Sequence, residues 1–185
     1  MFLDPLNFPI ARALEENWTV IRDEYLALPP EAFDPWLQLS MHGKGWSVFG
    51  LMAAGHQIPG GCRQCPKTAA ILSQFAGVGL AGFSRMEPNT HILPHSGWAQ
   101  NEYRLHLGLV VPEGCRLRVV GETREWNEGK CLVFDDTTEH EAWNDSPEIR
   151  GNLMVDFLRP GMTEFSNNVP DDVREYAERL LSDNK

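Results

Sequence analysis

Two histidines and an arginine in the second half of the chain are of types, and at places, that suit metal and anion chemistry. His95 lies in Leu93-Pro94-His95-Ser96-Gly97, and His140 closes Phe134-Asp135-Asp136-Thr137-Thr138-Glu139-His140. Arg150 follows, just ahead of the apolar run Leu153-Met154-Val155. Neutral imidazole is a common metal ligand, and a guanidinium grips a carboxylate through two parallel N–H bonds. Converging, the three side chains would hold a metal through two imidazoles and an anionic co-substrate through the arginine. Two histidines with an open coordination sphere suit non-haem iron(II). The usual facial site adds a carboxylate, commonly two residues after the first histidine, and here that position is Gly97. Asp136, shortly before His140, is the alternative carboxylate. It either reaches inward or ends a strand by bonding backbone N–H groups.

The elements that must carry these residues follow from periodicity. Ile10, Leu14, Trp18 and Ile21 recur at three- and four-residue steps, so the chain to about Leu28 reads as helix, stopped by Pro29-Pro30. A second helix is predicted from Pro66 to Phe75. From about Gly79 to Leu158 the period becomes two. Arg104, His106 and Gly108 point one way and Leu105, Leu107 and Leu109 the other. Pro112-Glu113-Gly114 and Asn127-Glu128-Gly129-Lys130 supply turns around strands at 116–120 and 131–134, and a last strand spans Gly151 to Leu158. Short strands at this spacing predict a mainly β sandwich or barrel with helices packed outside it. Asp171 to Leu181 reads as a C-terminal helix. The expected organisation is one domain over 1–185: a helical part to about 78, a β core at about 79–160, and a terminal helix at about 170–182.

The whole chain excludes several classes. Its 185 residues suit one sizeable core, and the formal charge of −10 disfavours a nucleic-acid partner. No stretch is long and apolar enough to cross a bilayer, and no secretory signal is seen at Met1-Phe2-Leu3-Asp4-Pro5, so a cytoplasmic protein without membrane contact is expected. Cys62-Arg63-Gln64-Cys65 has zinc-type spacing but no second close pair, which favours free thiols over a closed zinc site or a redox dithiol. Of the remaining histidines, His42 and His56 read as surface or packing residues, and His91 as a loop residue.

Several stretches together resemble the aspartyl/asparaginyl β-hydroxylase family. They are Gly45-Trp46-Ser47-Val48-Phe49, Cys65-Pro66-Lys67-Thr68, Pro94-His95-Ser96-Gly97, Tyr103-Arg104-Leu105-His106-Leu107-Gly108-Leu109, Pro112-Glu113-Gly114-Cys115, Glu122-Thr123-Arg124-Glu125-Trp126-Asn127-Glu128-Gly129-Lys130, Phe134-Asp135-Asp136 and Glu139-His140-Glu141-Ala142-Trp143. They fall in the family's order across roughly residues 40 to 160. The resemblance implies a double-stranded β-helix (jelly-roll, cupin-like) fold and an Fe(II)- and 2-oxoglutarate-dependent dioxygenase that uses O₂. It implies iron ligation by His95 and His140, with Gly in the carboxylate position. It also implies co-substrate binding by Trp46, Ser84, Arg104, Leu105, His106 and Arg150. Without the family, Arg104 pairing with Glu102 and Ser84 ending a hydrogen-bond ladder are competing readings.

The expected reaction is hydroxylation of an aspartyl or asparaginyl residue, or of a small or carrier-linked amino-acid-like molecule, with 2-oxoglutarate giving succinate and CO₂. The same iron with chloride in the vacant carboxylate position would make a halogenase. A non-enzymatic metal-binding barrel is the third reading.

Overall fold

The computed structural model describes residues 1–43 and 45–182. In chain order the elements are β1 Phe2–Leu3, α1 Pro9–Glu16, α2 Trp18–Ala27, β2 Asp34–Pro35, β3 Trp46–Ala53, β4 His56–Gln57, α3 Pro59–Gln64 and α4 Pro66–Leu72. Then follow β5 Val78–Met86, β6 Thr90–His95, β7 Glu102–Val110, β8 Cys115–Val119, β9 Glu122–Glu125, β10 Cys131–Phe134, β11 His140–Asn144, β12 Arg150–Leu158 and α5 Asp171–Ser182.

The strands form two antiparallel sheets. The larger runs β1-β10-β7-β12-β5-β3-β2, with β4 on β3, and the smaller runs β6-β11-β8-β9. This two-sheet arrangement is the double-stranded β-helix expected. Alternation along the strands gives the large sheet two apolar faces. Leu105, Leu107, Leu109, Leu153 and Val155 pack outward against Ile10, Leu14 and Ile21 of the N-terminal helices. Val48 and Met86 face inward, against Leu117, Val119 and Ala142 of the small sheet. The site lies between the sheets, among polar residues that share this inner face.

Three expectations need correction. The part to residue 78 is not simply helical, because β3 is an eight-residue strand pairing with β5 over Trp46↔Met86 to Met52↔Ala81. Its burial is nearly continuous, as for a strand covered on both faces, so it shows no clean period of two. The first helix is two helices. Asn17 separates them, and its side-chain N–H donates to the Ala13 carbonyl at 2.9 Å. The second helix ends at Leu72 and is preceded by α3, whose Gly60-Gly61 hid it.

Candidate active site

Strand register brings the two histidines together. β6 and β11 pair antiparallel, and His95 and His140 are direct partners. Ala142 pairs with Ile92, so three steps on β6 oppose two on β11. This bulge turns His95 onto the inner face that Ile92 already occupies. The ring centroids are 4.1 Å apart. Nδ1 of His95 donates to the Leu93 carbonyl at 2.7 Å and Nδ1 of His140 to the Thr138 carbonyl at 2.8 Å. A carbonyl only accepts, so each Nδ1 carries the proton and each Nε2 keeps a free lone pair. Burial, then the neighbouring His95, pushes His140 down to about 3, and burial lowers His95 as well. Both rings are therefore neutral at neutral pH, the form that ligates a metal.

Asp136 stands beside this pair. It is 1% exposed, and its Oδ1 lies 3.4 Å from His140 Nε2. A Cβ built on Gly97 would fall 1.4 Å from Asp136 Oδ2, so this carboxylate fills the space a side chain at 97 would take. Its backbone carbonyl accepts from Gly97 N at 2.8 Å, while its side chain completes no hydrogen bond of good geometry. The carboxylate thus reaches inward instead of capping backbone N–H groups. Asp135 has the structural role, gripping Arg159 at 2.6 and 3.1 Å.

The two arginines face different surroundings. Arg104 is a cross-strand partner of Asp156 and takes both its oxygens at 2.7 Å, while its Nη1 is ion-paired with Asp136. Burial works against its charge, but the two aspartates outweigh this and hold it protonated above its usual range. The alternative partner Glu102 is occupied elsewhere, accepting from Ser166 N at 2.8 Å and Ser166 Oγ at 2.5 Å. Arg150 is 1% exposed and makes no ion pair among the described residues. It donates to Ser84 Oγ at 3.5 Å, contacts Met86 Sδ, and lies over the Trp126 ring at 4.6 Å. Burial pushes its guanidinium down to about 10, still charged at neutral pH.

The other expected residues separate by face. Trp46 Nε1 donates to Ser84 Oγ at 3.0 Å, so Ser84 joins Trp46 to Arg150. His106 is buried against Trp126 and Phe134 with both ring nitrogens unpartnered, and burial followed by Arg150 lowers it well below its ordinary value. Leu105 does not join the site: its side chain is fully buried in the outer core. His91 stacks on Trp143 and bonds Glu141, His42 packs near Trp46 and bonds the Trp36 carbonyl, and His56 is exposed. All four cysteines are free, with burial pushing Cys65 up to about 12, which suits neither a thiolate ligand nor an active dithiol.

Asp156, Asn152 and Trp126 are site residues that the sequence reading passed over. Asn152 and Asp156 sit two and six positions beyond Arg150 on one strand, so strict alternation would have found them. With its amide turned to accept, Asn152 takes Trp126 Nε1 at 3.3 Å and Arg150 Nη1 at 3.0 Å.

The donor set fits a ferrous ion and a keto diacid. Two neutral imidazoles present Nε2, and no group of three or more His, Cys, Asp or Glu among the described residues is gathered for a metal. The ring N–H of His106 and the Nε of Arg150 are buried, unpartnered donors that a bound dicarboxylate would satisfy.

Residues 15–160 match the sequence profile of the aspartyl/asparaginyl β-hydroxylase family. An aspartyl/asparaginyl β-hydroxylase from Mus musculus is 40% identical over 163 residues, 83% of this chain and 22% of that protein. An ornithine lipid ester-linked acyl 2-hydroxylase from Rhizobium tropici is 35% identical over 168 residues, 85% of this chain and 60% of that protein. The chain therefore spans about a fifth of the first relative and three fifths of the second. Among solved structures, an oxidoreductase of the 2OG-Fe(II) oxygenase family from Burkholderia pseudomallei superposes with a TM-score of 0.59 at 15% identity, covering 80% of each chain. No helix among the described residues is long and apolar enough to cross a membrane.

Proposed function

The chain belongs to the aspartyl/asparaginyl β-hydroxylase family, and from that premise we propose an Fe(II)- and 2-oxoglutarate-dependent hydroxylase. Its substrate is an aspartyl or asparaginyl residue or a related amino-acid-like molecule. The observation that carries this reading is Arg150, a buried guanidinium without a carboxylate partner among the described residues, on the inner face that the paired histidines share. A buried cation of this kind is costly until an anion pairs with it.

His95 and His140 would hold the iron through Nε2. Arg150 and Ser84 would bind the far carboxylate of 2-oxoglutarate, with Trp126 beneath the guanidinium and Asn152 fixing both. His106, neutral and unpartnered, would donate its ring N–H to the co-substrate beside them. Bound iron, 2-oxoglutarate and O₂ supply the oxidising power that converts C–H to C–OH, with succinate and CO₂ as the other products. The protein supplies orientation and water exclusion, and no side-chain nucleophile is required.

The two relatives are named for different acceptors, a protein residue and an ester-linked acyl chain. In both names the hydroxylated carbon neighbours a carbonyl group, and we take such a carbon as the reacting position here. Halogenation is disfavoured because the space at Gly97 holds the Asp136 carboxylate, and Arg104 with Asp136 and Asp156 sums to a negative cluster. An anion there would repel chloride.

The test is mass spectrometry of aspartyl, asparaginyl and carrier- or acyl-linked candidates after incubation with iron(II), 2-oxoglutarate and O₂, chloride present. A gain of oxygen with matching succinate supports the reading. Chlorine in place of hydrogen would replace it with the halogenase. Failure of the purified chain to bind 2-oxoglutarate would remove its basis.

A further inference from the structure

The site borders a second space that the residues above do not fill. Between α5 and the inner face of the large sheet lies a cavity of about 500 Å³, a volume typical of small-molecule sites. Ala53, Leu80, Trp98, Ala99, Phe165 and Ala177 are among its walls. Small side chains leave the room open, and at Gly79 even a Cβ would come within 2.8 Å of the Phe165 ring.

Of the charged groups on the walls, Asp156, Glu102 and Arg174 are already used by the protein. Asp156 accepts two 2.7 Å bonds from Arg104. Glu102 accepts from Ser166 N and Oγ at 2.8 and 2.5 Å. Arg174 donates to the Val169 carbonyl at 2.9 Å and pairs with Asp171 at 3.6 Å. Asn167 and Glu178 are exposed. The interior therefore offers an occupant contact area and little unspent hydrogen bonding, which selects for apolar surface.

One wall of the cavity is shared with the ion-pair network that reaches the paired histidines. Trp98 directly follows Gly97 on the loop after His95. Asp156 holds Arg104, Arg104 contacts Asp136, and Asp136 lies 3.4 Å from His140 Nε2. Asp156 is thus common to the cavity wall and to the network beside the histidines, which sets the two spaces next to each other.

We propose that this cavity receives an aliphatic chain of the substrate, so that the molecule hydroxylated is an acyl-bearing amphipath. The inference rests on the hydroxylase reading and narrows its substrate class. A free aspartate or asparagine would leave these walls without a partner, whereas each buried methylene favours binding by roughly fourfold.

The test compares N-dodecanoyl-asparaginamide with N-acetyl-asparaginamide, which share a head and differ only in the chain. Their binding to the full chain is measured by calorimetry, without turnover. The dodecanoyl probe is expected to bind at least about tenfold more tightly. Ala177→Phe and Ala99→Leu, from α5 and from the loop after β6, should each weaken it by about tenfold or more while leaving the acetyl probe and 2-oxoglutarate within about twofold. Thermal melting identifies a variant that fails to fold, and the other then carries the comparison.

Equal affinity for the two probes would overturn the proposal. So would undiminished dodecanoyl binding in a folded, narrowed variant. A peptide bearing the same asparagine that binds more tightly than the dodecanoyl probe, and weakens in the variants, would assign the cavity to polypeptide instead and also overturn it. Loss of 2-oxoglutarate binding in the unaltered chain counts against the hydroxylase reading alone, because the chain-length comparison is read independently.

Discussion

Arg150 and Arg104 are the same residue type on neighbouring strands, and their surroundings give them opposite roles. Arg104 is fixed by two carboxylates, so removing Asp156 strips two charge-assisted hydrogen bonds from a guanidinium held in the interior. Asp156→Ala should lower stability by about 3 kcal/mol, read from urea midpoints, and a loss near zero would mean that Asp136 alone suffices. Arg150 has no such partner among the described residues, so its charge opposes folding and serves binding. Arg150→Met should weaken 2-oxoglutarate binding by at least about thirtyfold, or about 2 kcal/mol. The same change should leave the ligand-free protein equally or more stable, since a buried unpaired charge is removed. Calorimetric titration and melting in parallel separate the two effects. Unchanged 2-oxoglutarate affinity would show that another cation grips the diacid.

At the scale of elements, alternation along β7 divides site from core. Arg104 and His106 face inward, and Leu105 faces the helices. Leu105→Ala should therefore lower stability by about 2–5 kcal/mol through a cavity in the outer core, with 2-oxoglutarate affinity in the folded protein unchanged. A large affinity change would return Leu105 to the co-substrate pocket, where family resemblance alone placed it. β7 was legible because it alternates polar and apolar residues, and β10 and β12 because turn residues bound their apolar runs. β3 was not, since it is covered on both faces. The position of His95 was legible by type and not by face. Strict alternation from Ile92 places it outward, and the bulge reverses this. Pro94 is the local reason the ladder breaks there, because it has no N–H to donate. The Arg104–Asp156 pair needed the register of two strands far apart in sequence, which no local pattern contains.

Over the whole molecule, the polar interior makes stability depend on pH in a definite direction. His140, pushed down to about 3 by burial and then by His95, and His106, driven well below its ordinary value by burial and then by Arg150, stay neutral in the folded protein. In the unfolded chain each takes a proton near pH 6.5. Between pH 6.5 and the folded values the unfolded state binds more protons, so stability is retained above 6.5 and falls as the pH drops below it. Each histidine contributes a loss of about 1.4 kcal/mol by pH 5.5. Asp156 acts in the other sense: burial raises its carboxyl, so it takes a proton in the folded state first and offsets part of the loss as the pH falls toward its unfolded value near 4. For a chain of this length the two histidines together should lower the melting temperature of the metal-free protein by roughly 5–10 °C between pH 7.5 and 5.5. His140→Gln should reduce that drop measurably, since one of the buried protonation sites is gone. Bound iron(II) should raise the melting temperature at pH 7.5 and raise it less at pH 5.5, because protons compete with metal for the same imidazole nitrogens. A melting temperature that stays flat across this range in the unaltered protein would mean that these rings are not buried as neutral bases, and the argument for their readiness to bind metal would fall with it.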